Sequence, residues 1–191
     1  MIAHATSSRS GFRSRSDGRS PYVAFTLIEL VAVMVLVSIL SLTVTPLLAT
    51  MRSSRDSALA REVERRLQLA RAHGMTTGRP TGLTLDVAEQ ALRLVYIAEA
   101  GAAPAPLPGA SGEAEGHAQE SIEAMFPGSA LLAIDVGGAG AFDTIWFDYQ
   151  GVPHLRSETG AFVQNLTEDA HISLAGEHVV TVRHTTGMVE R

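Results

Sequence analysis

The chain has 191 residues, a formal net charge of −5 and no cysteine. The lack of cysteine excludes disulfide bonds and cysteine-ligated metal centres, and the acidic total gives no support for a nucleic-acid partner. The length leaves room for one modest domain beside a separate apolar segment.

Residues 1–24 are polar and rich in serine and arginine. Arginine occurs at positions 9, 13, 15 and 19, against one acid at position 17. Such a tract is not expected to fold alone. Positive charge just before an apolar helix keeps that end cytoplasmic and directs the following chain across the membrane. We therefore interpret residues 1–24 as a basic leader.

Residues 25–51 read FTLIELVAVMVLVSILSLTVTPLLATM, and residues 30–51 carry no formal charge. About 20 apolar residues in a helix are enough to cross the hydrocarbon core of a bilayer, so this segment predicts a transmembrane helix. Glu29 is its one carboxylate, and a charge in lipid is costly without a partner. Pro46 removes a backbone hydrogen bond and predicts a kink in the helix.

The string FTLIEL at residues 25–30 resembles the cleavage and methylation motif of type IV pilins and type II secretion pseudopilins. In that family a prepilin peptidase cuts before the phenylalanine and the new amino terminus is methylated, which implies cleavage between Ala24 and Phe25 and N-methylation of Phe25. The family usually has glycine where this chain has Ala24. The resemblance also implies that Glu29 neutralises the amino terminus of a neighbouring subunit during assembly. Many members carry a helix-disturbing proline where this chain has Pro46.

Residues 52–78 predict an amphipathic helix that continues the apolar one. Small and large apolar residues recur on one face, at Leu59, Val63, Leu67 and Ala70. This spacing is typical of a helix packed on a core. Glu62 and Arg66 are placed for an ion pair one helical turn apart. The charged residues predict a solvated surface, and Gly74 is expected to end the helix.

Residues 79–191 predict a β-rich head. Leu83 and Leu85 alternate with polar residues, and Val95 and Ile97 are expected to lie across from them in a hairpin. The next segment, residues 98–121, is rich in alanine, proline, glycine and glutamate. It lacks the apolar content to pack and predicts a flexible loop.

Further strands are predicted at residues 130–136, 144–149, 171–174, 179–183 and 188–189, with glycines between them. In the second of these, Ile145, Phe147 and Tyr149 alternate with Trp146 and Asp148. The alternation is typical of a half-buried strand that has one face on the core.

Several stretches of the head resemble the GspH/FimT-like branch of the pilin family, which includes the H-type minor pseudopilin. They are Arg79-Pro80, the frame IWFDYQG at residues 145–151, VVTV at residues 179–182 and TGMV at residues 186–189. The resemblance implies an α+β fold with the lollipop shape of pilins. In that fold a long N-terminal helix, first transmembrane and then amphipathic, packs on an antiparallel β-rich head.

No pattern for catalysis or metal binding stands out. The glycines of residues 137–140 are not followed by Lys-Ser or Lys-Thr, as a phosphate loop requires. The histidines form neither HExxH nor HxH, and no serine has a GxSxG context. We expect no enzyme activity, no cofactor and no metal.

The sequence thus predicts a minor pseudopilin or pilin. It would be a single-pass inner-membrane protein with a cytoplasmic leader and a periplasmic head, later drawn into a pilus or pseudopilus. Its partners would be the prepilin peptidase, other pilin subunits and the inner membrane. The alternatives are a pilus-tip binding module, for example in DNA uptake, and a plain membrane-anchored envelope domain or enzyme. Cleavage by ordinary signal peptidase after Ala49 would release a soluble domain, but the apolar run is longer than a usual signal core.

Overall fold

The computed structural model describes residues 26–108, 119–137 and 142–191, without the side chains of residues 43–49. The predicted leader, residues 1–24, lies outside the described part, as does Phe25. The chain divides into two compact units, Met1–Thr43 and Val44–Arg191. Helix α1, Leu27–Thr77, contributes residues to both.

In the second unit, α1 buries the face that the sequence pattern predicts. Leu59, Val63, Leu67 and Ala70 have no solvent exposure, and Ala60 joins them. Burying a leucine side chain contributes roughly 1.5–3 kcal/mol, so this face is a main source of stability for the second unit.

Gly74 does not end the helix, contrary to the prediction. The helix continues to Thr77, and Gly78 follows with φ +69° and donates its N–H to the Gly74 carbonyl at 3.0 Å. A Cβ at position 74 would lie 3.0 Å from the Asp148 carbonyl oxygen and 3.1 Å from that of Phe147. The glycine therefore allows a strand backbone to approach the helix closely, and the left-handed residue that ends the helix is Gly78.

The described residues of the second unit form two antiparallel sheets. The strands of the first sheet are β1 Thr81–Asp86, β2 Ala91–Tyr96, β3 Ala105–Pro106, β4 Gln119–Ser121, β6 Thr144–Phe147, β7 Pro153–Arg156 and β8 Phe162–Asn165. Those of the second are β5 Leu131–Val136, β9 Ala170–Leu174, β10 Val179–Val182 and β11 Val189–Glu190. The first sheet has the strand order β3-β2-β1-β6-β7-β8, and β4 also pairs with β2; the second has the order β11-β10-β9-β5. A short helix α2, Ile122–Met125, and a 3-10 turn, Ala175–Glu177, complete the described elements. The fold is α+β.

The predicted hairpin forms, but its register differs from the expected one. Leu83 pairs with Leu94, whereas Val95 stands opposite Gly82. Leu83 and Leu94 belong to the main core, while Val95 and Ile97 pack in a separate small cluster. The prediction that Val95 and Ile97 lie across from Leu83 and Leu85 is wrong, because Leu94 and Leu92 occupy those positions. A change of one residue in register moves a side chain to the other face of the sheet.

Strand β6 is covered on both faces rather than half-buried. Ile145 and Phe147 lie in the main core as expected, but Trp146 is also buried, together with Val95 and Ile97. A Cβ at position 82 would lie 3.0 Å from the Trp146 ring, so Gly82 leaves the space in which the indole packs. Tyr149 lies beyond the end of the strand and is exposed.

The predicted loop, residues 98–121, contains ordered structure in the part that is described. Strands β3 and β4 pair with β2, and Leu107 is buried, with its N–H bonded to the Leu94 carbonyl at 2.9 Å. Strands of two or three residues are too short to show a periodic pattern in the sequence. Residues 109–118 lie outside the described part.

The charged face of α1 is not wholly solvated. The Arg66 guanidinium is buried: it donates to Glu62 at 2.7 Å and to Glu120 of β4. The predicted ion pair of Glu62 and Arg66 is confirmed. Hydrogen bonds, first from Arg65 and then from Arg66, lower the pKa of Glu62. Burial of an arginine requires such acidic partners, so this network ties α1 to the first sheet.

Candidate functional site

The predicted processing and assembly residues fall partly outside the described part. Ala24 and Phe25 are not described, so cleavage and methylation stay predictions. Glu29 lies exposed in the first turn of α1, and its N–H bonds to the Thr26 carbonyl at 3.1 Å. The backbone of Pro46 lies within α1 but its side chain is not described, so the predicted kink also stays a prediction.

The first part of α1 is apolar and uncovered. Every side chain of residues 26–42 is exposed; Leu27 and Leu42, for example, are 82% and 81% exposed. Ser38 donates its hydroxyl to the Met34 carbonyl at 2.7 Å, so its donor is satisfied within the helix. A helix that is apolar on all sides is normally covered by other protein or by lipid. This segment therefore has the character of an interaction surface.

Among residues 26–108, 119–137 and 142–191, no helix has the length and apolar character needed to cross a bilayer. The predicted transmembrane segment, residues 25–51, includes Phe25 and the side chains of residues 43–49, which are not described. Its assignment to the membrane stays a prediction.

In the second unit, Arg71 joins two turns that are distant in the sequence. Its Nε donates to the Gly151 carbonyl at 3.3 Å, and its Nη2 donates to the Thr186 carbonyl at 3.0 Å. Gly187 makes the meeting possible, because a Cβ there would lie 2.0 Å from the Gly151 carbonyl oxygen. Residues 145–151 and 186–189 are far apart in the sequence, and their turns thus meet near the end of α1. All these bonds go to backbone carbonyls, so the arrangement is architectural.

A groove of about 770 Å³ opens beside the first sheet, and its lining includes Thr84, Arg93 and Trp146, which alternate along their strands with main-core residues. Its floor includes Thr84 of β1, which is in register with Arg93 of β2 on one side and with Thr144 of β6 on the other. Arg156 of β7 also lines it. The sequence alone does not reveal the groove, because these residues come together only through the register of four strands.

The hydroxyl groups on the groove floor form a directed chain. Thr144 donates to the Asp143 carboxylate at 2.9 Å. The Thr84 and Thr144 hydroxyl oxygens are 2.9 Å apart. Because the Thr144 hydroxyl already donates its one proton to Asp143, the Thr84 hydroxyl donates to Thr144. The middle of the floor therefore offers hydrogen-bond acceptors to a ligand.

Beside these hydroxyl groups, the guanidinium of Arg156 makes three contacts. Its Nε donates to His154 Nε2 at 2.8 Å, its Nη1 donates to the Gly160 carbonyl at 2.7 Å, and it lies 6.0 Å from the centre of the Trp146 ring. The last contact has the geometry of a cation–π interaction. Arg156 is therefore fixed before any ligand arrives.

Burial, with a smaller contribution from Arg156, lowers the pKa of His154 to about 4. At neutral pH the imidazole is uncharged, and Nε2 accepts from Arg156 while Nδ1 lies 3.4 Å from the Val152 carbonyl as the donor. Burial also lowers the pKa of Arg156. The neutral histidine is thus the acceptor that aligns this arginine.

The residues that the structure describes include no group of three or more histidine, aspartate or glutamate side chains able to hold a metal ion. His184 contacts Asp169 at 2.7 Å, and Arg183 contacts the same carboxylate at 2.7 Å. Hydrogen bonds from His184 and Arg183 hold the pKa of Asp169 well below its usual range. This cluster is an exposed ion-pair network between strand ends.

No family model and no curated protein sequence matches this chain. This chain is similar to two structures of EpsH, the minor pseudopilin of the type II secretion system of Vibrio cholerae. One is 15% identical over 71% of this chain and 94% of that chain, with a TM-score of 0.47. The other is 14% identical over 72% of this chain and 93% of that chain, with a TM-score of 0.49. Identities and TM-scores this low describe a distant likeness of fold and say nothing about function.

Proposed function

We propose that this chain is a minor pseudopilin or pilin: a structural subunit of a type II secretion pseudopilus or a type IV pilus, and not an enzyme. The observation that carries the proposal is the exposed apolar part of helix α1, residues 27–42, with Glu29 as its one carboxylate. The FTLIEL motif at residues 25–30 supports it, because that motif resembles the processing site of prepilins.

The physical basis of assembly is burial of this helix. Residues 27–42 expose leucine, isoleucine, valine and methionine all around the helix axis. In a filament outside the bilayer, each square ångström of apolar surface kept from water contributes roughly 25 cal/mol. Packing against equivalent helices of neighbouring subunits would provide that burial.

Glu29 would set the register of that packing. A carboxylate in an apolar helix bundle is tolerable when a cation lies within contact distance. After cleavage the methylated amino terminus at Phe25 of a neighbouring subunit would be such a cation. Before assembly, the basic leader would stay cytoplasmic, the prepilin peptidase would remove it, and the head would lie in the periplasm.

The test is N-terminal mass spectrometry of the protein purified from native membranes, with the prepilin peptidase present and absent. We expect a peptide that begins with N-methylated Phe25 only when the peptidase is present. An intact leader in both strains, or a mature chain that begins at Thr50, would contradict the proposal.

A binding role for the head is a second candidate, favoured by the groove on the first sheet. It is compatible with a place at a pilus tip. The carboxylates that line the groove beside its arginines favour a peptide over a nucleic acid.

A further inference from the structure

The floor of the groove carries one polar residue from each of four neighbouring strands. Arg93 and Thr84 are paired in register, as are Thr84 and Thr144. Trp146 pairs with His154, so the antiparallel register places Arg156 beside Thr144. Strands lie roughly 4.8 Å apart, so this row spans about 14 Å. Its order is arginine, threonine, threonine, arginine.

The two ends and the middle of this row offer opposite hydrogen-bonding groups. The guanidinium groups at the ends are donors. In the middle, the hydroxyl protons are directed from Thr84 to Thr144 and from Thr144 to Asp143, which leaves oxygen lone pairs for a ligand. A ligand that fits must supply both acceptors and donors, as the C=O and N–H groups of a peptide do.

Charge argues against a polyanion in the groove. Asp86, Asp143 and Glu158 line it together with the two arginines. A run of phosphates would meet these carboxylates, whereas a peptide with a single carboxylate can place it on one arginine. Apolar lining from Pro104 and Val95 suits the side chains of a peptide.

Arg156 is the place for that carboxylate. Its contacts with His154, Gly160 and Trp146 fix the guanidinium in advance. A pre-positioned guanidinium loses little conformational entropy when it binds, and the Nη donors of Arg156 that these contacts do not use can bond to a carboxylate.

We propose that this groove binds an extended peptide segment of a partner protein, with one carboxylate of the peptide on Arg156. At about 3.3 Å per residue, the row accommodates roughly four residues. The carboxylate comes from an aspartate or glutamate side chain or from a chain terminus. This inference does not depend on processing or on the assembly helix.

Trp146 allows a direct test, because it lines the groove and is the single tryptophan of the chain. The full chain in detergent is titrated with three synthetic tetrapeptides while tryptophan emission is followed. The first is acetyl-Ala-Ala-Glu-Ala-amide, the second has glutamine in place of glutamate, and the third is acetyl-Ala-Ala-Ala-Ala with a free carboxyl terminus. A single-stranded oligonucleotide is the fourth probe.

We expect a saturable change in emission with the first or the third peptide, and affinity at least about tenfold lower for the glutamine peptide than for the carboxylate peptide that binds, because one charge-assisted hydrogen-bond pair is lost. Saturation by the first peptide alone identifies a side-chain carboxylate, and saturation by the third alone identifies a terminal one. No saturable change with any peptide, a glutamine peptide that binds as tightly as the carboxylate peptides, or saturation by the oligonucleotide alone overturns the proposal.

Three variants locate the site. Arg156→Ala is expected to abolish the preference for the carboxylate, and Arg79→Ala, at an exposed arginine outside the groove lining, serves as the matched control. Thr84→Val keeps the side-chain shape but removes the hydroxyl, and it is expected to weaken all peptides about equally. Far-ultraviolet circular dichroism shows whether Arg156→Ala folds. If it does not, Thr84→Val still tests the hydrogen bonding at the groove floor. Unchanged affinity in Thr84→Val overturns the proposed hydrogen bonding.

Discussion

Two stretches of helix α1 contrast in what covers them. Residues 26–42 are exposed throughout although they are almost entirely apolar. Farther along, Leu59, Val63 and Leu67 are completely buried against the sheets although charged residues surround them in sequence. Apolar character alone therefore does not decide burial. The second stretch is covered by the core of its own unit, whereas the first is exposed in this chain.

The largest expected effect comes from one leucine truncation made in each stretch. Leu67→Ala should lower the free energy of unfolding by about 2–5 kcal/mol, because it leaves a cavity in the core. Leu36→Ala, at a residue that is 66% exposed, should change it by less than about 0.5 kcal/mol. Urea denaturation of the full chain, followed by Trp146 emission, measures both. Equal destabilisation by the two variants would show that residues 26–42 are also packed against the chain.

The contrast between these stretches also shows what local sequence can predict. The face of Leu59 and Leu67 was predicted correctly because helical periodicity depends only on neighbours in the sequence. The alternation in β6 likewise placed Ile145 and Phe147 in the core. Burial of Trp146 was missed because its cover comes from β2 and from the register of the hairpin.

The candidate sites also differ in whether contiguous sequence reveals them. The motif around Glu29 is contiguous in sequence, so it was found, although its processing stays a prediction. The groove combines Thr84 and Thr144 with Arg156, and no local pattern joins residues so far apart. Strands β7 and β8 were missed for a related reason: they are four residues long and mix polar with apolar side chains.

Acid should destabilise the head through a buried histidine. The pKa of His154 is lowered from its model-peptide value of about 6.5 to about 4, so the folded state binds fewer protons than the unfolded state in this interval. Stability is therefore complete above pH 6.5 and falls as the pH drops toward 4, by roughly 3 kcal/mol from this group.

Urea denaturation at pH 7, 5.5 and 4 measures this loss. His154→Gln, which keeps an acceptor near Arg156 but does not titrate, should be less stable at pH 7 and should lose less stability on acidification. The same dependence on pH in the wild type and in this variant would show that other groups cause the acid sensitivity.

Substitutions at two glutamates, Glu120 and Glu29, test folding and assembly separately. Glu120→Gln removes a charged acceptor from the buried Arg66 guanidinium and should cost about 2–3 kcal/mol of stability. Glu29→Gln should leave the free energy of unfolding unchanged, because the side chain is exposed, but it should prevent incorporation into filaments. Urea denaturation and filament yield from cells that produce each variant measure the two effects. Normal incorporation of Glu29→Gln would contradict the assembly role.

The smallest expected effect comes from two serines, one in the buried part of the head and one in the exposed stretch of α1. Ser129 is buried and donates to the buried Asp56 carboxylate at 2.7 Å, so Ser129→Ala leaves that carboxylate short of a donor and should cost about 1–2 kcal/mol. Ser38 bonds to the carbonyl one turn earlier on its own exposed helix, and an alanine favours the helix there, so Ser38→Ala should cost nothing. Urea midpoints of the two variants compare them directly. A loss of stability in Ser38→Ala would mean that its hydroxyl bonds to a group outside its own helix.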